Sequence, residues 1–425
     1  MVRNPLGKVV GLAKSDTAKD TYVLFGGNLL GAFTGFVFTL IIARGLSVGD
    51  FGVFSAVNNL VSIIASLADI GISAALVSFV ANFQAKGDTL NAHRYLKASF
   101  ITRLAVVALM SLGLLAFAPW VSKRLLISDS YTVVYWTVIL SFGLLLWSYF
   151  SIALQAYRRF VASVSVDMSI GITRVIAVGA LFLLGALTLN NSFTSFMLGT
   201  IAATIVGFVL LGTSFLKADT NKEIYSKLLK FSGWVGVNRV ISAISGRLDV
   251  QMLAVFSGAE VTGQYSIAQR LALFISVLVA SFSGVMAPRL ASFGNKESEK
   301  KYIVKATLAT LPIIAGAIVW ISIAEPFINL LFGSKYLPAV PIFQMFVGSL
   351  IPFIFATTPV AAIIYSIKKP VYIGYYSFFQ LAAIFLINFL LIPKIGPYGP
   401  LVAYFVANTL LAIYSWYIVY RYYWR

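Results

Sequence analysis

Residues 231–270 read FSGWVGVNRVISAISGRLDVQMLAVFSGAEVTGQYSIAQR. The first part, 231–256, is long and apolar enough to cross about 30 Å of hydrocarbon, yet it carries Arg239, Arg247 and Asp249. An ionisable side chain at membrane depth is costly unless it faces protein or water, so each marks a functional position. On a helical wheel at about 100° per residue, Asn238, Arg239, Ser242, Ser245, Arg247 and Asp249 share one arc of roughly 200°. Trp234, Val237, Ile241, Ile244, Leu248 and Met252 take the opposite arc. The expectation is a helix with one side toward lipid or packed helices and the other toward something wet and anionic.

The surrounding chain agrees. Its 425 residues are 60% hydrophobic and only 11% charged, with a mean hydropathy of +0.91, values that belong to polytopic membrane proteins. Cysteine is absent, which excludes disulfides, thiolate metal sites and a thiol nucleophile. The one histidine, His93, stands beside Arg94 in a polar connection and reads as a loop residue. No HExxH, GxSxG or GxxxxGK[ST] pattern occurs, so the chain is read as no enzyme and no ATPase. A membrane glycan polymerase would need large loops or clustered carboxylates, and Asp and Glu total only 14.

Twelve spans are expected, at roughly 21–43, 51–80, 99–120, 131–156, 163–189, 193–216, 231–256, 262–290, 306–332, 339–366, 371–392 and 398–420. With the N-terminus inside, the outer segments receive only Arg44, Lys123, Arg124, Lys335 and Lys394, while the inner ones collect most other lysines and arginines. That is the positive-inside pattern, with both termini cytoplasmic. The net charge of +18 therefore reports topology, and no nucleic-acid partner is expected. The basic start, MVRNPLGKVVGLAKSDTAKD, lacks a signal peptide's apolar core and reads as a weakly amphipathic stretch on the inner surface. Pro312, Pro352 and Pro359 are expected to break or kink their helices.

The chain also repeats itself. Gly52-Val53-Phe54-Ser55 recurs as Gly263-Gln264-Tyr265-Ser266, an offset of 211. Ala81-Asn82-Phe83 with Lys86 recurs as Ala291-Ser292-Phe293 with Lys296, and Arg158-Arg159 as Lys368-Lys369, both at 210. Six spans per half is an even number, so both halves enter from the same side and are related by an axis along the membrane normal. The expected fold is an all-α polytopic membrane protein of about twelve transmembrane helices in two six-helix lobes related by a pseudo-two-fold axis. The lobes are 1–216 and 231–425, joined by a cytoplasmic linker at 217–230.

Other polar positions follow the same logic. In the first span Asn28 shares an arc with Gly31 and Gly35, which close helix packing also explains. The second span aligns Asn58, Asn59, Ser62, Ser66, Asp69 and Ser73 within about 100° of the wheel, a stripe assigned to a cavity. The eighth contributes Gln269 and Arg270, and Asp167 and Arg174 of the fifth lie two turns apart, as an ion pair or a cavity lining. Asp249, with Asn388 and Asn408 of the last two spans, supplies oxygens for a coupling Na⁺ or H⁺. Neutralisation of Arg239 or Arg247 by Asp249 is the equal alternative. No other cofactor and no metal is expected.

The segments IIARGLSVGDFGVFSAV (41–57), RLDVQMLAVFSGAEVTGQYSIAQRL (247–271), LFGSKYLPAVPIF (331–343) and LLIPKIGPYGPLVAY (390–404) resemble, in this order, polysaccharide flippases. These belong to the multidrug/oligosaccharidyl-lipid/polysaccharide exporter superfamily. The resemblance covers essentially the whole chain. It implies two six-helix lobes around a cavity that opens alternately to each side, and export of a polyprenyl-linked oligosaccharide across a prokaryotic inner membrane by a monomer. The related lipid II flippases carry two extra helices that this chain lacks. Family members place cations of the first, second, seventh and eighth helices around the cavity, which maps onto Arg44, Arg239, Arg247 and Arg270. Arginine in a low-dielectric site binds phosphate bidentately, while the tail stays among membrane lipids. A cation-coupled multidrug antiporter of the same superfamily is the rival: the arginines speak against it, and Asp69, Asp167 and Asp249 for it. A purely structural membrane protein leaves the paired polar faces unexplained.

Overall fold

The structure, a computed structural model, describes residues 16–425, apart from the side chains at 16–18, 21, 234, 235, 237–240, 242 and 243. The basic stretch 1–15 and the side chain of Arg239 therefore lie outside the described residues. No strand occurs among the described residues. The chain runs through α1 (Asp16–Gly45), α2 (Val48–Asp69), α3 (Ile72–Ala85), α4 (Thr89–Ala116), α5 (Thr132–Ala156), α6 (Phe160–Leu183), α7 (Leu189–Leu211) and α8 (Lys222–Ser245). It continues through α9 (Leu248–Ser292), α10 (Lys296–Leu308), α11 (Leu311–Ser322), α12 (Ala324–Phe332), α13 (Ala339–Ala361), α14 (Val371–Ile395) and α15 (Tyr398–Tyr423). Among the described residues, eleven helical stretches, with α10 and α11 forming one, have the length and apolarity to cross a membrane. The chain is an all-α, multi-pass membrane protein.

Inside hydrocarbon a hydroxyl must find its partner within the helix or in a neighbour. Ser62 and Ser66 donate to the carbonyls of Asn58 and Ser62, each at 2.8 Å. Two members of the polar stripe on the second span thus spend their hydroxyls on their own helix, which weakens their value as a cavity signal.

Three expected spans are interrupted, each for a local reason. The second (51–80) breaks at Ile70 and Gly71, whose φ values are 32° and 74°. There the Asp69 carboxylate accepts the Ser73 N–H at 3.0 Å and so starts α3. A Cβ on Gly71 would lie 2.8 Å from the Gly236 N, so this break fits closely against α8. The seventh (231–256) breaks between Ser245 and Leu248, where the Arg247 N–H turns back to the Ile244 carbonyl at 3.0 Å. Its polar arc is therefore not one continuous helix face, because the turn at Gly246 and Arg247 splits it between two helices. The ninth (306–332) divides into α10, α11 and α12, with Pro312 in the first turn of α11, where its missing N–H costs nothing.

Packing divides the chain into two compact units. The first comprises the described part of Met1–Leu46, Val57–Lys123 and Ser128–Ala243; the second comprises Ser47–Ala56, Arg124–Ile127 and Ile244–Arg425. In the first, α6 packs on α1 and α7, and α2, α4 and α5 share a core of Ile64, Ala68, Val107 and Leu145. In the second, α13 packs on α9 and α15, and α14 on α15.

The sequence repeat is visible in the backbone. Arg158 and Lys368 both adopt left-handed φ, 57° and 59°, at an offset of 210; Gly185 and Gly396 do so with 65° and 57°, at 211. Within the second unit the start of α2 crosses the α9 segment that follows Gly258. A Cβ on Gly52 would meet the Ala259 carbonyl oxygen, and one on Gly263 the Val48 carbonyl oxygen. Val48 and Ala259, like Gly52 and Gly263, are 211 residues apart, so the contact exchanges repeat-equivalent partners, as a two-fold relation requires.

Candidate functional site

Gly258 assembles the site. Its φ of 84° and ψ of −179° interrupt α9, a conformation open in practice only to glycine. In a straight helix, Asp249 and Tyr265 would stand about 24 Å apart. Here the Tyr265 hydroxyl donates to Asp249 Oδ2 at 2.6 Å, so α9 is a helical hairpin. One turn on, the Gln269 amide donates to the same oxygen at 2.9 Å, and the Tyr404 hydroxyl of α15 reaches it at 3.1 Å. Asp249 Oδ1 accepts the Val250 N–H at 2.8 Å. The carboxylate is fully buried, and among the described residues all its donors are neutral groups.

Two arginines flank it. Arg247, the residue before α9, lies close enough to Asp249 for attraction and close enough to Arg270 for repulsion. Both arginines are half-buried. Among the described residues Arg270 has no hydrogen-bonding or ion-pair partner. Asn388 of α14 is fully buried, and neither its amide nitrogen nor its oxygen meets a partner among the described residues. Asn408 of α15 instead donates to the Ser349 carbonyl at 2.9 Å.

The first unit treats its carboxylates differently. Asp69 forms an ion pair with Arg103 at 3.1 Å and accepts the Ser73 hydroxyl at 2.5 Å, and Arg103 reaches the Ser148 hydroxyl at 3.4 Å. Arg103 is missing from the sequence candidates, although an arginine inside the apolar stretch 99–120 was a signal in itself. Asp167 and Arg174 do not pair. Asp167 accepts the Trp147 indole N–H at 2.9 Å and the Ser151 hydroxyl at 3.2 Å, while Arg174 lies over the rings of Phe38 and Phe196 at 5.1 and 5.8 Å. Two helical turns separate them by about 10 Å, and neighbouring helices offer each a nearer partner.

Of the sequence candidates, the structure brings Arg247, Asp249, Gln269 and Arg270 together in the second unit. Asn28 and Arg44 are exposed on α1, Asn58 is half-buried and Asn59 buried on α2. These four lie with Asp69 in the first unit. Tyr265 and Tyr404 escaped notice because neither is charged. The i, i+4 spacing of Tyr265 and Gln269 was the available signal, since it puts both on one face.

A family profile described as "Polysaccharide biosynthesis protein" matches residues 17–294, well over half of the chain. The chain belongs to that family. Among curated proteins, this polysaccharide biosynthesis family member is similar to a probable low-salt glycan biosynthesis flippase, Agl15, of Haloferax volcanii. The two are 22% identical over 331 residues, 76% of this chain but only 66% of the relative's length. Among solved structures it is similar to the lipid II flippase MurJ in an inward closed conformation. The TM-score is 0.73 at 14% identity, over 94% of this chain and 87% of that one. It is also similar to an inward-facing multidrug resistance transporter of the MATE family, with a TM-score of 0.71 at 12% identity over 91% and 93% of the two chains. At these identities the likeness concerns the fold.

Proposed function

We propose that this polysaccharide biosynthesis protein translocates a lipid-linked oligosaccharide from the cytoplasmic to the outer leaflet, by alternating access through a cationic central cavity. The observation that carries the reading is Arg270, half-buried in a membrane-spanning helix, repelled by Arg247 and without a partner among the described residues. The nearby carboxylate is already ringed by neutral donors, so a phosphate is the anion that completes the pair. A planar guanidinium binds such an oxyanion bidentately. The family and the relative named a glycan flippase point the same way. On this reading the chain works as a monomer in the inner membrane with both termini cytoplasmic. It catalyses no covalent step and binds no nucleic acid.

Coupling to Na⁺ or H⁺ is proposed for Asp249, Asn388 and Asn408, on the strength of the buried, unpartnered Asn388 amide. A cation there has one carboxylate and two amide oxygens to draw on.

The test is flipping of a polyprenyl-diphosphate glycan by the full chain in vesicles, with and without an imposed ion gradient. Arg270→Ala should abolish flipping with insertion intact, and Arg270→Lys should restore only part of it. Export of organic cations without glycan flipping would establish the antiporter reading instead.

A further inference from the structure

On the second unit, α14 and α15 enclose a groove of about 550 Å³, within the roughly 300–1,000 Å³ of small-molecule sites. Tyr375, Tyr376 and Phe379 line one side, and Ile413, Tyr414 and Tyr417 the other. Despite four tyrosines the walls are apolar, because two hydroxyls turn away into main chain. Tyr376 donates to the Ala407 carbonyl and Tyr414 to the Tyr372 carbonyl at 3.4 Å. Their rings stack, with centroids 5.7 Å apart. Phe379, Ile413 and Tyr417 remain more than half exposed, so the groove opens sideways along two membrane spans.

The two lining stripes run on into cations. On α15 the positions 410, 413, 414 and 417 continue to Arg421, one turn or about 6 Å beyond Tyr417. On α14 the positions 379, 376, 375 and 372 lead back to Lys369 and Lys368. Lys369 sits over the Tyr372 ring at 5.7 Å, and it is the Tyr372 carbonyl that holds Tyr414 in the groove wall. Lys368, Lys369 and Arg421 are exposed. An apolar slot within the bilayer, capped at one interface by three cations, has the polarity of an anionic amphiphile.

We propose that this groove binds a phospholipid with a net negative headgroup. One acyl chain lies between α14 and α15, and the phosphate sits between Lys369 and Arg421. The lipid belongs to the leaflet at which the chain ends, the inner one on the proposed orientation. The site lies apart from Arg247, Asp249 and Arg270 and is independent of the transport reading. Positive-inside bias alone explains cations at this interface, but not their continuation of an aromatic slot that faces lipid.

The test is native mass spectrometry of the full-length protein in detergent, titrated with phosphatidylglycerol and with phosphatidylcholine of the same chains. Wild type should retain phosphatidylglycerol preferentially. K369Q with R421Q should lower that retention about 25-fold, at about fivefold per cation near an anionic headgroup. I413W, which fills the slot without altering charge, should lower retention of both lipids. K123Q with R124Q, which the charge pattern assigns to an outer segment, should leave retention unchanged. Equal retention of the two lipids by wild type, or undiminished phosphatidylglycerol on K369Q/R421Q, would overturn the proposal. So would displacement of phosphatidylglycerol by equimolar polyprenyl monophosphate, which would assign the groove to an isoprenoid chain.

Discussion

Asp69 of the first unit stands 3.1 Å from the Arg103 guanidinium, whereas Asp249 of the second is ringed by two hydroxyls, an amide and a main-chain N–H. Asp249 is fully buried and Asp69 mostly so. The first is neutralised by a full charge, and the pair binds the break in α2 to α4. The second has its lone pairs satisfied by dipoles alone among the described residues. A closed ion pair is structural cement: breaking it leaves an uncompensated buried charge. A carboxylate held by neutral donors can change its charge or take a cation without the same penalty, because each donor loses only one ordinary hydrogen bond. Asp69 keeps some exposure and Asp249 none, yet what separates them chemically is their partners.

The comparison breaks most visibly at Arg103. Arg103→Ala should cost about 3–5 kcal/mol by stranding Asp69, and most of the protein should fail to reach a monodisperse state on fluorescence-detected gel filtration. Asp69→Asn added to Arg103→Met should recover much of the loss. If Arg103→Ala alone melts like wild type, the first carboxylate is no more structural than the second.

Asp249→Leu comes next. It orphans three side-chain donors at about 1 kcal/mol each, so a thermal melt in detergent should fall clearly, yet by less than for Arg103→Ala. Asp249→Asn keeps an acceptor oxygen and should cost about 1 kcal/mol at most, while abolishing any ion-gradient dependence of flipping. Full gradient dependence in Asp249→Asn would remove Asp249 from the coupling site.

The two tyrosines sharpen the picture further. Tyr265→Phe removes the 2.6 Å bond and Tyr404→Phe the 3.1 Å bond. The first should cost about 1 kcal/mol and the second less, by thermal melt, since both leave the acceptor with other donors. Equal or reversed effects would show that contact length does not rank the donors.

Asp88, outside the membrane, is the smallest case. It caps α4 by accepting the Asn91 N–H at 3.0 Å. That main-chain bond, with the Asn91 side chain next, holds its carboxyl below the usual range. A depressed folded pKa means the stabilisation is present above the unfolded value and is lost as pH falls through the folded one. Asp88→Asn should therefore flatten slightly the acid limb of a stability-against-pH curve and leave neutral pH nearly untouched. A larger loss at acid than at neutral pH would reverse that sign.

Membrane class, helix count to within one crossing and the internal repeat were legible in the sequence. Hydrocarbon admits only self-satisfied backbone, and a repeated chain repeats its turns: Arg158 and Lys368 share a left-handed φ. Arg247, Asp249, Gln269 and Arg270 were legible too, because a charge or amide at membrane depth announces itself. The interruptions in the second and seventh spans were not. An apolar run looks alike whether or not a left-handed pair at Ile70 and Gly71 or a turn at Arg247 divides it. Tertiary structure alone chose the partners. The fold at Gly258 carried Asp249 to Tyr265 and Gln269, and α15 brought in Tyr404. Arg103 reached Asp69, and Arg174 went to the aromatic rings of Phe38 and Phe196 instead of Asp167. Hydropathy and periodicity are sums over neighbours along the chain, so they place a charge in the bilayer; which group answers it depends on distances between helices that only packing sets.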